Sequence, residues 1–374
     1  MRLQAGGLQR GEGVAPYLFL LPFLIVLGIF FVYAGVRAIV FSFTDYNLFN
    51  DPSWVGLRNY AALFQERNFI TALRNSILFT IVVTALQTLG ALIMASVLNA
   101  RIRGLHFFRA AYYMPSVASS VVITLIFLWM YQRRGLINYI ATGVSRWAPV
   151  IGVFLGILVL LQIAQVLWER RRGFPARWLD PALFVVSLVG AVIVSVALGV
   201  AGIVTPREIA PIDFVWLQTR KAIPARPEAL AMPIPLIAIM IQNIFTTIPT
   251  LMLLFLAGLQ DVPKSFYEAA SIDGASPAQK FFYITIPSLQ PVLFLVLTLG
   301  LIGTLQMFDQ VAIFGDAAPL RSRITLAYFV YNRMFPGAQL PEVGLASAAA
   351  IFLALFTLTV VLIQRVIVPS EVRR

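Results

Sequence analysis

The chain has 374 residues, of which 60% are hydrophobic, and it contains no cysteine and a single histidine, His106. Soluble domains average about 45–50% apolar residues; the excess here lies in runs of twenty or more, which predicts a polytopic membrane protein. The composition excludes disulfides, thiol chemistry and a histidine metal cluster. The formal charge of +12 is scattered over short loops, which favours lipid headgroups and membrane topology, and not nucleic acid, as its cause.

Eight apolar runs predict eight spanning helices, at 16–41, 73–99, 109–131, 148–167, 181–204, 233–257, 281–309 and 341–366. Each is long enough to cross about 30 Å of hydrocarbon at 1.5 Å per residue. Compact arginine clusters at 101–109 and 169–177 fall on the same side as the N-terminus, so the positive-inside rule predicts that both termini are cytoplasmic. We therefore expect an all-α polytopic membrane protein.

The fourth and fifth predicted helices form a hairpin that leaves and returns on one face of the membrane. Removing 148–212 would leave six helices with unchanged topology, so we interpret this hairpin as an insertion. The six-helix core then consists of 1–147, with three spans, and 213–374.

Small residues mark one face of each hairpin helix: Gly152 and Gly156 on the first, and Ser187, Ala191, Ser195 and Gly199 on the second. Small faces permit close helix packing in lipid, so we expect the two faces to pack on each other or on the core. Chance explains them about equally well, because small residues are common in membrane helices.

The polar segment 261–287 has the pattern of a short helix, a glycine turn and a second short helix. Asp261 and Pro263 can begin the first helix, which would run to about Ile272. Gly274 then supplies the permissive backbone of a reversal.

The second short helix has its own start signal in Ser276, Pro277 and Gln279. Serine is a favoured N-cap, proline suits the first helical position, and glutamine at the third completes a capping box. The alternative is an ordinary interfacial connector between two membrane helices.

The same segment resembles the EAA coupling loop of the membrane subunits of binding-protein-dependent ABC importers, and we call 261–287 the coupling loop. The residues that match the family pattern are Glu268, Ala269, Ala270, Asp273, Gly274 and Pro287. The resemblance implies that the loop docks into a groove of a separate ATP-binding subunit. Glu268 would face a basic residue there, and Tyr267 and Phe281 would fill the groove as aromatic anchors.

Resemblance to the maltose-type branch of sugar importer permeases extends over most of the chain outside 148–212. It is carried by stretches that include Leu21-Pro22, Phe41-Ser42-Phe43, Val55-Gly56-Leu57-Arg58-Asn59-Tyr60, Arg74-Asn75-Ser76, Phe108-Arg109, Met114-Pro115 and Ala257-Gly258-Leu259-Gln260. One late loop departs from the family: Gly315-Asp316-Ala317-Ala318-Pro319 stands where Thr-x-Gly-Gly-Pro is usual.

This resemblance implies a six-helix permease fold and a set of partners. They are a homologous second permease subunit, two ATP-binding subunits that hold ATP and Mg, an extracytoplasmic solute-binding protein, and the lipid of a bacterial or archaeal cytoplasmic (inner) membrane. No nucleic acid is expected, and no cofactor in this chain.

Polar residues inside predicted spans are candidate pathway residues. By resemblance, Asn243, Thr247 and Gln306 fall at sugar-contacting positions, beside the aromatic residues Phe245 and Phe308. Amides bond hydroxyl groups, and rings stack on the apolar faces of sugars. The alternative is that these amides join helices to one another.

Catalytic and nucleotide motifs are absent from the sequence. No Gly-x-x-x-x-Gly-Lys-Ser/Thr run occurs, so we do not expect this chain to hydrolyse ATP. The main rival is an ion-coupled secondary transporter, which would need buried charges near mid-span. A membrane enzyme is a more distant alternative. The sequence therefore predicts a permease subunit of an ATP-driven importer for a sugar or sugar-like solute.

Overall fold

The computed structural model describes residues 15–99, 105–174, 177–178 and 180–368. Both termini and part of the arginine cluster at 101–109, on which the predicted orientation rests, lie outside these residues.

The described chain is helical almost throughout. Its longer helices are α1 (Ala15–Leu27), α2 (Ala34–Ser42), α4 (Arg67–Asn99), α5 (Leu105–Val117), α6 (Ser120–Met130), α7 (Leu136–Arg171), α8 (Pro181–Val200), α9 (Ile234–Asp261), α13 (Gln290–Leu305) and α17 (Val343–Ile367). A π-helical segment, Gly28–Tyr33, joins α1 to α2.

Shorter elements connect these helices. They are α3 (Arg58–Gln65), the strands β1 (Ala222–Ile223) and β2 (Met232–Pro233), α10 (Lys264–Ile272), α11 (Pro277–Lys280), the π-helical Phe281–Thr285, α12 (Ile286–Ser288), α14 (Asp309–Phe314), α15 (Leu320–Arg323) and α16 (Leu326–Met334). The two strands pair antiparallel.

Seven apolar helical stretches in the described residues are long enough to cross a membrane: Tyr17–Ser42, Arg67–Asn99, Leu136–Arg171, Pro181–Val200, Ile234–Asp261, Gln290–Ala317 and Val343–Ile367. An eighth span exists only if the bent pair Ala110–Val117 and Ser120–Met130 is counted as one. The prediction of an all-α polytopic membrane protein is confirmed.

The third predicted span, 109–131, is a bent pair of helices whose two parts meet at 101°. Helix α5 continues through Pro115 and ends at Val117, and α6 begins at Ser120. The fourth predicted span, 148–167, lies within the longer helix α7. Its predicted ends were wrong because hydropathy locates an apolar run and not the end of a helix.

The chain forms two compact units. One comprises Ile126–Trp216, and the residues before and after it form the other. The first unit encloses the segment 148–212, whose origin as an insertion stays a prediction.

In the Ile126–Trp216 unit, α7 and α8 pack as a hairpin. Asp180 caps α8 by accepting from the backbone N–H of Ala182 at 3.0 Å. The Ser187 hydroxyl donates to Gln162 Oε1 at 2.7 Å, so this small face does contact α7. The prediction was wrong for Gly152 and Gly156, since a Cβ added to either would meet no described atom within 4 Å.

In the other unit, the core lies where α4, α9 and α13 pack together. It is built from the apolar side chains of Ala91, Ala95, Leu98, Leu251, Met252, Phe255, Leu256, Leu259, Leu289 and Val296. These are spaced along one face of each helix, as a buried stripe requires. The packing fixes the relative position of α4, α9 and α13, whose polar side chains form the candidate site.

Two distant stretches of the chain are tied together at the start of α4. Asn75 Nδ2 donates to the carbonyl oxygen of Ile324 at 3.0 Å, and the Ser76 hydroxyl accepts from the N–H of Leu326 at 2.9 Å. Both side chains are fully buried. They therefore hold α15 and α16 against α4.

Candidate functional site

The first helix of the coupling loop is α10, and it ends at Ile272 as predicted. Its predicted start was wrong for Asp261, which is the last residue of α9. Val262, which precedes a proline, is held extended, with φ −69° and ψ 122°. This stops α9 at Asp261, and α10 begins after Pro263.

The turn between α10 and α11 is a Schellman motif centred on Gly274. This glycine has φ +76°, a region that favours glycine. Its N–H donates to the Ser271 carbonyl oxygen at 3.2 Å, and the N–H of Ala275 donates to that of Ala270 at 2.9 Å. These are the two bonds that define the motif, so the predicted glycine reversal is confirmed.

The second helix begins with the predicted capping box. The Ser276 hydroxyl accepts from the N–H of Gln279 at 3.3 Å, and Gln279 Oε1 accepts from the N–H of Ser276 at 2.7 Å. Pro277 occupies the first helical position. The start of α11 is therefore specified by three side chains in sequence.

Two side-chain bonds join the parts of the coupling loop into one folded knob. Lys280 Nζ donates to the Ser271 hydroxyl at 2.6 Å, which ties α11 to α10. The Tyr267 hydroxyl lies 2.9 Å from the Thr285 hydroxyl, which ties α10 to the π-helical segment. The knob is thus preformed within this chain.

The knob presents carboxylates and apolar side chains to its surroundings. Glu268, Asp273, Ala269 and Pro287 are exposed, and Ala270 is half-buried. The side chain of Ile272 is 87% exposed.

Some aromatic side chains of the knob are partly buried within it, and others are exposed. The predicted anchors Tyr267 and Phe281 are half-buried, and the ring centres of Phe281 and Phe282 lie 5.4 Å apart in an edge-to-face arrangement. Phe266 and Tyr283 are exposed instead. The sequence missed them because the direction in which a ring points depends on where its helix begins, and that start was not known.

Between α4, α9 and α13 lies a small cavity of about 110 Å³ with a mixed lining. Its wall combines the polar Gln87, Asn243, Thr247 and Thr304 with Leu251, Leu299, Gly300 and Gly303. The structure thus brings the predicted residues Asn243 and Thr247 together. We call this space the inner cavity.

Gln87 is the least satisfied polar group of the inner cavity. Its side chain is 1% exposed, and neither its Nε2 nor its Oε1 has a hydrogen-bond partner among the residues that the structure describes. A buried unpaired amide costs free energy comparable to a lost hydrogen bond, of order 1–3 kcal/mol. Such a group in a native wall is a signal of a ligand or water. Sequence reasoning missed Gln87, although a glutamine inside an apolar run was the available signal.

The alternative of amides that join helices holds for a neighbouring residue. Gln242 Nε2 donates to the Thr124 hydroxyl at 2.6 Å, with both side chains buried. Adjacent positions of α9 therefore serve different ends: Gln242 faces α6, and Asn243 faces the inner cavity.

The other three predicted contact residues lie away from the inner cavity. Gln306 is exposed at the end of α13, and Phe245 is 47% exposed. Phe308 packs on the ring of Tyr331 at 5.0 Å. Contact of these residues with a solute stays a prediction.

Comparisons with known proteins fit this architecture. The family model described as the binding-protein-dependent transport system inner membrane component matches residues 152–373. The arabinooligosaccharides transport system permease protein AraP of Halalkalibacterium halodurans is 26% identical, over 95% of this chain and 88% of that protein. The multiple sugar-binding transport system permease protein MsmF of Streptococcus mutans is 28% identical, over 90% and 88%.

One solved structure shares the fold at a TM-score of 0.65 and 17% identity, covering 97% of this chain and 98% of that one. It is a bacterial ABC transporter involved in the import of the acidic polysaccharide alginate. The family match covers more than half of the chain. This chain therefore belongs to the family of inner membrane components of binding-protein-dependent transport systems.

Proposed function

We propose that this chain is the permease subunit of an ATP-driven importer for a sugar, of the di- or oligosaccharide class or a sugar-like solute. The observation that carries the proposal is the preformed coupling loop. Relatives named as permeases for arabinooligosaccharides, multiple sugars and lactose support the choice of solute.

The coupling loop docks on a separate ATP-binding subunit. A segment that served only to connect α9 to α13 would not need a Schellman motif, a capping box and two further side-chain bonds. The exposed Glu268 and Asp273 offer charge, and Ile272 and Phe266 offer apolar surface that a groove can cover. The matching residues Ala269, Ala270 and Gly274 are small, so the backbone of the coupling loop can approach the backbone of the ATP-binding subunit closely. Pro287 restricts the backbone where the loop leads toward α13.

The inner cavity is the place where this subunit contacts its solute. Its amide and hydroxyl groups suit the hydroxyls of a sugar, and Leu251 and Leu299 suit its apolar faces. Its lining carries no titratable side chain, which disfavours the ion-coupled alternative. Its volume lies far below the roughly 300–1,000 Å³ of typical small-molecule sites, so the cavity must widen during transport, by rocking of the helices when the ATPases close.

The assembly contains a homologous second permease, two ATP-binding subunits that bind ATP and Mg, and an extracytoplasmic solute-binding protein. A related fold has been solved in complex with a periplasmic protein that carries an alginate pentasaccharide. The coupling loop and both termini face the cytoplasm, in a bacterial or archaeal cytoplasmic membrane.

The test is to purify the assembly through this chain and reconstitute it with its solute-binding protein in liposomes. We expect an ATPase chain to copurify, and a labelled di- or oligosaccharide that the solute-binding protein binds to accumulate only with hydrolysable ATP. Uptake that persists without an ATPase chain would overturn the proposal.

A further inference from the structure

A second and larger cavity lies at the far end of α9 from the coupling loop. It has a volume of about 860 Å³ and is walled by the start of α4, by residues between 220 and 233, and by the segment 319–322. We call it the outer pocket. Pro233 lines it, and α9 then runs for 28 residues to Asp261. That length is about 42 Å, so the outer pocket and the coupling loop lie at opposite ends of a membrane-spanning helix.

The outer pocket and the inner cavity share the same two helices. Pro233 and Asn243 are about ten residues, or roughly 15 Å, apart along α9. Arg74 lines the outer pocket and Gln87 the inner cavity, about 20 Å farther along α4. The outer pocket therefore lies at the mouth of the helix pair that encloses the inner cavity.

Three guanidinium groups line the outer pocket, those of Arg74, Arg220 and Arg321, against the single carboxylate of Glu228. Nη2 of Arg74 donates to the carbonyl oxygen of Ala231. This bond fixes one positive charge in the wall.

The other two arginines keep donors available. Arg321 donates through Nε to Asn68 Oδ1 at 3.3 Å, and the described residues offer no acceptor to its two terminal nitrogens. Arg220 forms no hydrogen bond or ion pair with the described part of the chain, and Glu228 pairs with none of these arginines there. The pocket thus has an excess of positive charge that the described residues do not neutralise.

We infer that the outer pocket binds the carboxylate of an acidic sugar, so that the importer carries a uronic-acid-containing saccharide. The inference rests on the proposed function and specifies its solute. A guanidinium fork matches a carboxylate with two parallel charge-assisted hydrogen bonds. The volume of about 860 Å³ falls within the range of small-molecule sites.

This assignment gives the two cavities different roles in recognising the sugar. The outer pocket selects the charge of the sugar at the membrane surface, where guanidinium groups remain hydrated. The inner cavity contacts hydroxyl groups with neutral amides, because a charged group there would carry a large desolvation cost.

The experiment measures direct binding to the transporter isolated through this chain, without its solute-binding protein. The probes are digalacturonate and the neutral galactobiose, compared by calorimetry in low salt. We expect digalacturonate to bind at least about tenfold tighter, since hydrogen bonds to charged groups exceed neutral ones by this order. The advantage should vanish in Arg220→Gln/Arg321→Gln and persist in Arg226→Gln, a control in the same segment that does not line the pocket.

Equal affinity for both probes, or an advantage that survives the double variant, would overturn the inference. A double variant that loses only its association with the solute-binding protein would also overturn it, by assigning the pocket to protein docking. Arg220→Gln alone guards against misfolding, because this side chain makes no hydrogen bond within the described residues. Failure of the proposed function is seen separately, as absence of ATP-dependent uptake of any sugar by the wild type.

Discussion

A Cβ placed on Gly300 would lie 2.7 Å from Nε2 of Gln87 and 3.3 Å from Cγ2 of Thr84. Real Cβ atoms are not found as close as 2.7 Å to a neighbour, so a side chain at residue 300 would force the Gln87 amide to move. Gly300 therefore leaves the space that the Gln87 amide occupies in the wall of the inner cavity. Gly300 and Gln87 therefore form one unit of the candidate solute site.

Replacing Gly300 with alanine should displace the Gln87 amide. We expect a several-fold loss of solute uptake, with a loss of unfolding free energy of about 1–3 kcal/mol from overpacking. Uptake in liposomes and thermal unfolding measure the two effects. Gly152→Ala is the matched control, because a Cβ there meets nothing described within 4 Å. Wild-type uptake by Gly300→Ala would contradict the role given to this contact.

Replacing Gln87 with leucine should separate stability from transport. The variant removes a buried amide without a partner, so its unfolding free energy should be unchanged or higher, while uptake falls. Gln242→Leu is the comparison: it removes the bond from Gln242 Nε2 to the Thr124 hydroxyl, which keeps only its own bond to the Ser120 carbonyl oxygen. This variant should destabilise the protein by about 1 kcal/mol. Destabilisation of Gln87→Leu as severe as that of Gln242→Leu would show that the Gln87 amide has a structural partner.

Gly274 offers a test of the coupling loop by conformation alone. Valine is strained at φ +76°, whereas asparagine tolerates this region. We expect Gly274→Val to insert into the membrane normally but to lose most solute-stimulated ATPase activity, and Gly274→Asn to retain most of it. The assay is phosphate release by the reconstituted assembly. Full stimulation in a well-folded Gly274→Val protein would count against docking through this turn.

Ser276→Ala removes half of the capping box of α11. A lost N-cap costs about 1 kcal/mol, so amide exchange of residues 278–280 should accelerate roughly fivefold. Hydrogen–deuterium exchange with mass spectrometry reads this directly. Ser265→Ala, an exposed serine of α10, should leave the rate unchanged. Equal rates in the two variants would mean that contacts other than the cap hold α11.

The coupling loop was largely predictable because its signals are local. Gly274, Ser276 and Gln279 specify their geometry within a few residues. The start of α10 was missed because Pro263 keeps Val262, the residue before it, extended. The break therefore falls at Val262, and Asp261 belongs to α9. The family resemblance, carried by the same loop, is confirmed by the family match.

The inner cavity was only half predictable because it depends on three helices far apart in sequence. Asn243 and Thr247 were found from α9 alone. Gln87 and Gly300 become meaningful only when α4 and α13 are seen in contact. The bend after Val117 was missed because hydropathy records that a run is apolar and does not record where one helix ends and the next begins.

Only Val262 and Pro263 separate α9 from α10. Val262 is buried and Pro263 has a restricted backbone, so the connection between α9 and α10 is short and rigid. If the coupling loop docks on an ATP-binding subunit as proposed, its displacement would pass directly to α9, the helix that carries Asn243. Inserting two glycines between Val262 and Pro263 would then separate ATP hydrolysis from solute uptake, while α9 and α10 themselves stay folded.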